Sequence, residues 1–215
     1  MSQKAALRKR RGDGDKTRER IIEAAGELFA QHGYHGTTSK AICHRSHVNQ
    51  AAVNYHFGSR KGLYEAILSE VHESLIKMDD MESLLHNTQL NAEQKLQAFI
   101  RQLIPAIMDA KSWQLRIWAR EIAAPSECFP ELMAGNILPK FDYLRQLISQ
   151  VTGLDVDSPK LLPAIYGFIS PCLMLLISNR EPQMPMSGIF SYSPAHLSQY
   201  LQQFLLAGLK GLSAD

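Results

Sequence analysis

The stretch SHVNQAAVNYHFGSRKGLY, residues 46–64, combines features that a plain core helix does not. Small residues Ala51 and Ala52 stand among the amides of Asn49, Gln50 and Asn54. The trio Tyr55-His56-Phe57 follows, and two cations, Arg60 and Lys61, come next. A helix built this way shows hydrogen-bonding groups on its exposed side and ends in positive charge. Working outward, GTTSKAICHRSHV lies just upstream, with Thr37 or Thr38 as N-cap and Ile42 as an inward anchor. Residues 46–49 form the tight turn between the two segments. Further upstream, KTRERIIEAAGELFAQHG repeats Ile21, Ala24, Ala25, Leu28 and Phe29 at helical spacing, with Gly33 where a helix stops. Downstream, Ser59 caps a helix that carries Leu63, Ala66, Ile67, Val71 and Leu75 on one face.

Two short helices joined by a tight turn and preceded by a longer one have the organisation of a helix-turn-helix. Val48 packs the turn, while Ile42 and Val53 pin the two helices together. Lys40, Gln50, Ala51, Ala52 and Asn54 then face outward. Small residues let such a helix enter a major groove closely, where amides pair with adenine and lysine with guanine. Thr38, Tyr55, His56 and Arg60 lie at the edges, where phosphates would pass. An ordinary three-helix corner explains the packing but leaves the amide-rich face unexplained. The charge balance agrees with the first reading. Residues 1–61 carry a net charge of +7 and residues 62–215 carry −5, although the whole chain is only +2. This is a polyanion-binding head on a body with another task.

At these residues the chain resembles the TetR family of bacterial repressors. The pattern is Thr37-Thr38, Ile42, Val48-Asn49-Gln50, Tyr55-His56-Phe57, Ser59-Arg60 and Leu63, covering about the first 65 residues. WQLRIWAREIAAPSECFPEL, further on, is similar to the C-terminal domain of the CecR (YbiH) type. The resemblance implies base contacts from Lys40, Gln50, Ala51, Ala52 and Asn54. It implies phosphate contacts from Thr38, Ser39, Tyr55, His56 and Arg60, with Lys61 adding another. The basic stretch of Arg8 to Arg11, Lys16 and Arg18 adds sequence-independent attraction. The chain departs from the family at Cys43 and Ser46, where alanine is usual, and at Arg60, where lysine is commoner. The most consequential departure is His47 at a glycine position, because that position calls for a left-handed backbone. Histidine tolerates this conformation better than a β-branched residue, so the turn should survive.

The remainder reads as helices throughout, with no alternating strand pattern. The polar stretch DDMESLLHNTQLNAE precedes a helix over residues 92–110. SWQLRIWAREIA and ELMAGNILPKFDYLRQLISQVTG make two more, the apolar run after Ser158 another, and residues 195–212 the last. The fold class is therefore all-α. A basic flexible tail occupies residues 1–15, a helix-turn-helix domain 16–62, and a larger ligand-binding and dimerisation domain 63–215. In the family this second domain binds a small molecule and pairs with a second subunit, which implies a homodimer. Leu197, Leu201, Phe204 and Leu205 form an apolar stripe for that pairing. Phe99, Leu103, Met108, Trp113, Trp118 and Phe168 are bulky enough to line an apolar pocket, and they also suit a plain core. Arg116 and Arg120 are candidate polar anchors for the ligand, and Arg120 with Glu121 also suits a structural ion pair.

Other chemistry has little support. Cys43, His44 and His47 cluster, but no second ligand set stands near them, so no metal is expected. No phosphate-cradling glycine loop, G-x-S-x-G or H-E-x-x-H occurs, so neither a cofactor nor catalysis has an anchor. Three scattered cysteines and a strongly polar N-terminal stretch suit a reducing cytoplasm. The 17 uncharged residues of Leu161–Ile177 contain two prolines and lack a span's flanks, so a buried helix is expected rather than a membrane segment. The expectation is a cytoplasmic regulator that binds double-stranded operator DNA and answers to a small effector. The alternative is an enzyme or ligand-binding protein whose basic head holds nucleic acid nonspecifically.

Overall fold

The computed structural model describes residues 3–109 and 112–212, with side chains from residue 13 onward. Eleven α-helices and no strand occur among these residues. The first, α1 (Gln3–Gly36), includes one non-helical residue, Gly33, at φ 73° and ψ 175°. The stop expected at Gly33 is thus a kink near the end of α1. Buried Thr37 holds it, donating to the Gly33 and Leu28 carbonyls at 2.9 and 3.2 Å. The tail expected over residues 1–15 is helical from Gln3 on, and the side chains of Arg8 to Arg11 lie outside the described residues.

The helices α2 (Ser39–Ser46), α3 (Gln50–Phe57) and α4 (Arg60–Leu75) each begin at a side-chain cap. Thr38, Asn49 and Ser59 accept hydrogen bonds from the amides of Ala41, Ala52 and Gly62 respectively, satisfying donors that a helix start leaves free. Ile42 and Val53 are buried between α2 and α3 as the pattern required. The expected boundary between residues 62 and 63 falls within the first turn of α4. That helix continues unbroken from the α3 junction into the body.

The body contains α5 (Met78–His86), α6 (Ala92–Met108), α7 (Trp113–Ala123), α8 (Phe129–Leu132), α9 (Leu138–Thr152), α10 (Leu161–Ile177) and α11 (Pro194–Leu212). The polar stretch that precedes the helix of residues 92–108 contains a helix of its own, α5, anchored by buried Met81. The segment read as one helix from Glu131 is helical without a gap as far as Thr152, and its one irregularity is a wide π-type turn, Met133–Ile137, between α8 and α9. An Asn91/Gln94 capping box starts α6, which packs against α11, α9 and α10. In turn, α7 packs on α1, and α4 also leans on α7. No helix among the described residues is long and apolar enough to cross a membrane.

Candidate functional site

The turn between α2 and α3 is closed by His47, the one described non-glycine residue at positive φ (53°, ψ 41°). Its amide reaches back to the Cys43 and His44 carbonyls. Arg20 of α1 donates to the Ser46 and His47 carbonyls at 3.1 and 3.4 Å, fastening the turn to the longer helix. An ion pair between Glu27 and Arg45 adds a second tie. The glycine-type conformation therefore exists with histidine in it.

These ties present α3 outward. Gln50, Ala51, Asn54 and Tyr55 are exposed and Ala52 is half-buried, with Tyr55 at 85% exposure. Gln50 Nε2 donates to Asn54 Oδ1 at 3.1 Å, one helical turn on, and the Cys43 thiol lies 3.5 Å from Gln50 Oε1. The two amides thus form one oriented unit before anything docks. Lys40, Thr38 and Ser39 stand beside it at the start of α2, the first two exposed and Ser39 half-buried. His56 is half-buried and edge-on to Tyr55 at 5.0 Å. No cluster that could hold a metal ion occurs among the described residues.

Arg60, expected at a phosphate, is engaged within the chain through one guanidinium nitrogen. Its guanidinium donates to the Tyr34 and Thr37 carbonyls at 2.6 and 2.9 Å and lies 4.1 Å from the centre of the Tyr34 ring. It clamps the corner where α1 gives way to α2. Neighbouring Lys61 is exposed and shared between Glu65 and Glu131, each at 3.4 Å. Behind this corner Tyr34, Tyr64 and Phe29 pack ring to ring. Buried Tyr64 donates to Glu121 Oε1 of α7 at 2.7 Å. Burial first, then the Glu121 carboxylate, pushes its phenol well above the usual range, so it stays a donor. Glu121 is therefore bound to Tyr64 and, through Oε2, to the amide and hydroxyl of Ser126 at 3.0 Å. The ion pair suggested for Arg120 and Glu121 is replaced by these bonds.

The body holds a partly open apolar cavity of about 140 Å³ among α4, α5, α6, α7, α9 and α10. Of the expected lining, Phe99, Leu103 and Trp118 are present. Met108, Trp113, Arg116, Arg120 and Phe168 are not, and each is accounted for. The Trp113 ring covers Gly26 of α1, where a Cβ would sit 2.5 Å from it. Phe168 is buried in the core against Phe99, Met108 is half-buried, and Arg116 and Arg120 are exposed, with Arg120 reaching Gly33. The polar groups at the cavity are instead Lys140 and His72, neither of which stood out in the sequence. A signal existed for both, since each occupies an apolar register: Lys140 with Ile137, Leu144 and Leu147, and His72 with Leu68, Val71 and Leu75.

The stripe on α11 divides in two. Leu197 and Leu205 are buried against the chain's own body, so they do not belong to an outer face, while Leu201 is half-buried. Phe204 is 70% exposed. With it, Tyr200 on α11 and Leu162, Tyr166 and Met174 on the adjoining α10 are exposed. A helix with two apolar sides satisfies the core with one and leaves the other uncovered.

A helix-turn-helix head on a hollow all-helical body defines the class: a DNA-binding regulator architecture. Two family models match the chain. "Bacterial regulatory proteins, tetR family" covers residues 21–67, and "HTH-type transcriptional dual regulator CecR, C-terminal domain" covers residues 92–212. The chain belongs to the TetR family of transcriptional regulators, with a C-terminal domain of the CecR type. It is 33% identical over 138 residues to the "Probable HTH-type transcriptional regulator YttP" of Bacillus subtilis, spanning 61% of this chain and 62% of that protein's length. It is 25% identical over 161 residues to the biofilm operon icaADBC negative transcriptional regulator IcaR of Staphylococcus aureus, covering 75% of this chain and 81% of IcaR. Among solved structures, AibR in complex with isovaleryl coenzyme A and operator DNA superposes with a TM-score of 0.68 at 18% identity, covering 88% of this chain and 98% of AibR. AmtR of Mycobacterium smegmatis superposes at 0.64 and 19% identity, covering 92% of each chain.

Proposed function

We infer that the protein is a cytoplasmic, ligand-responsive repressor that binds a palindromic operator as a homodimer and leaves it when a small effector enters the body. The observation that carries this is the outward face of α3, where an oriented pair of amides stands beside two alanines. Amides read adenine edges, and the alanines permit the close approach that reading requires. Lys40, Gln50, Ala51, Ala52 and Asn54 are the base-contacting set. Thr38, Ser39, Tyr55, His56 and Lys61 meet phosphates, while Arg60 holds the corner that positions them. The name of IcaR supports repression, and the complex of AibR supports an operator and a bound acyl-coenzyme A in a protein of this fold.

Dimerisation is supported by the exposed aromatic and aliphatic face of α10 and α11, since a second copy would remove Tyr166 and Phe204 from water. The cavity supports the effector. Trp118 and His72 line it, and Trp118 sits one helical turn before Glu121, whose bond to Tyr64 leads to the ring of Tyr34 under Arg60. Displacement of α7 by a ligand would therefore reach the corner that carries α2. Recognition helices of a dimer must lie about 34–36 Å apart to enter successive major grooves, so a small rotation releases both. Fragments selected from genomic DNA test the reading. The expected result is a footprint with defined edges and two-fold symmetry, and sequence-blind retardation of all DNA would overturn it.

A further inference from the structure

The wall of the cavity carries few polar side chains, and its strongest one is already engaged. Lys140 Nζ donates to Glu73 Oε2 at 2.7 Å and to the Ile76 carbonyl, and lies 3.3 Å from His72 Nδ1. An ammonium has three protons and no acceptor, so these contacts exhaust it, and Glu73 balances its charge. Because an ammonium only donates, His72 Nδ1 must accept, which leaves the proton of the neutral ring on Nε2. That ring makes no other hydrogen bond among the described residues, and it is held edge-on to Trp118 with the centroids 5.0 Å apart. Burial and then the charge of Lys140 lower its pKa from 6.5 to about 4, so the ring is uncharged at neutral pH.

The other lining side chains with polar atoms are His72, Trp118 and Cys172, which offer the imidazole Nε2–H and the indole N–H as donors and a thiol that is only a weak donor and acceptor. Around them stand leucine, isoleucine, methionine and phenylalanine side chains. The volume sets the size. Cavities of about 150 Å³ with such linings take up benzene, and this one is about 140 Å³. A carboxylate would have to take Lys140 from Glu73, and an amine would meet Lys140 with no anion to spare.

Resting on the sensor reading above, we propose that the cavity selects an uncharged ligand about the size of one substituted ring. The ligand carries a hydrogen-bond acceptor that takes the His72 Nε2–H. Calorimetric titration of the full chain at pH 7.5 with acetophenone, ethylbenzene, benzoate and benzylammonium tests this. These probes share a ring and differ in acceptor and charge. Acetophenone should bind about five-fold tighter than ethylbenzene, the value of one net hydrogen bond. It should exceed both ions by about a hundred-fold or more, since neither finds a free counter-charge. His72→Phe should equalise acetophenone and ethylbenzene, while His72→Gln, which can accept from Lys140 and still donate, should keep the preference. Tightest binding by benzoate would overturn the proposal in favour of Lys140 as an anion anchor, and binding by none of the four would overturn it outright. A preference for acetophenone that survives His72→Phe would overturn the role of His72. Operator affinity is measured separately: acetophenone binding that leaves it unchanged supports the ligand class while refuting the sensor reading.

Discussion

The outward faces of α3 and of α10–α11 are both uncovered in a single chain, yet they are built from opposite material. One shows Gln50, Ala51 and Asn54, the other Leu162, Tyr166, Met174 and Phe204. A polar face costs little in water, so its exposure alone signals nothing, and its meaning lies in which groups it orients. An apolar face loses about 25 cal/mol for every Å² left in water, so its exposure is itself the signal. The first asks for a partner with hydrogen-bonding edges and negative charge, and the second for another apolar surface. The proposed repressor uses both at once, because two heads grip an operator only if the second face joins them.

The strongest way to break this pairing is to charge the apolar face. Tyr166→Glu combined with Phe204→Glu should sediment as a monomer and lose operator affinity by about 10²–10⁴-fold, the gain that linking two binding modules supplies. Both residues are largely exposed in the single chain, so the fold should persist. A double variant that remains dimeric would place the pairing face elsewhere.

The body can be tested through pH. His72 is neutral in the folded chain, with its pKa lowered to about 4, but takes a proton near its ordinary 6.5 when unfolded. Between those values the unfolded state binds more protons, so stability falls as pH falls. The loss should approach about 3 kcal/mol by pH 4. Glu73, held low by Lys140 and the Met78 amide against the opposing effect of burial, adds a further loss below its ordinary range. Urea unfolding at stepped pH should show this slope, flattened in His72→Phe. An identical slope in the variant would assign the acid sensitivity to other groups.

Arg60→Ala sharpens the polar side. Losing the bonds to the Tyr34 and Thr37 carbonyls should cost about 2 kcal/mol of stability. The slope of log affinity against log salt should stay unchanged. A slope shallower by about one charge per subunit, with stability intact, would return Arg60 to the phosphates.

The sequence revealed what short-range rules control. Thr38, Asn49 and Ser59 were visible as turn or cap residues because a cap needs only its own helix's amides. His47 could be expected to be left-handed because the family that the chain resembles has glycine at that place in the turn. Features settled by distant packing stayed hidden. The acids around Met81 masked the anchor of α5, and the π-type turn at Met133–Ile137 interrupts a pattern that otherwise runs on. Leu197 and Phe204 looked alike in the stripe, and only the seat of α11 against α6 separates inward from outward. The cavity was hardest to see. Its size-based candidates Trp113 and Phe168 went to other packing, and its polar pair joins residues 68 positions apart. A lysine in an apolar helical register was the available clue.

The central claim is that the amide pair on α3 reads bases. It is tested most directly by measuring Gln50→Ala, Asn54→Ala and the double variant on a selected operator and on random DNA of equal length. Each single change should cost about 1–3 kcal/mol on the operator and almost nothing on random DNA. Because Gln50 donates to Asn54 in the free chain, the double variant should cost less than the sum of the two singles. Equal losses on operator and random DNA would contradict the claim and reduce α3 to a nonspecific contact.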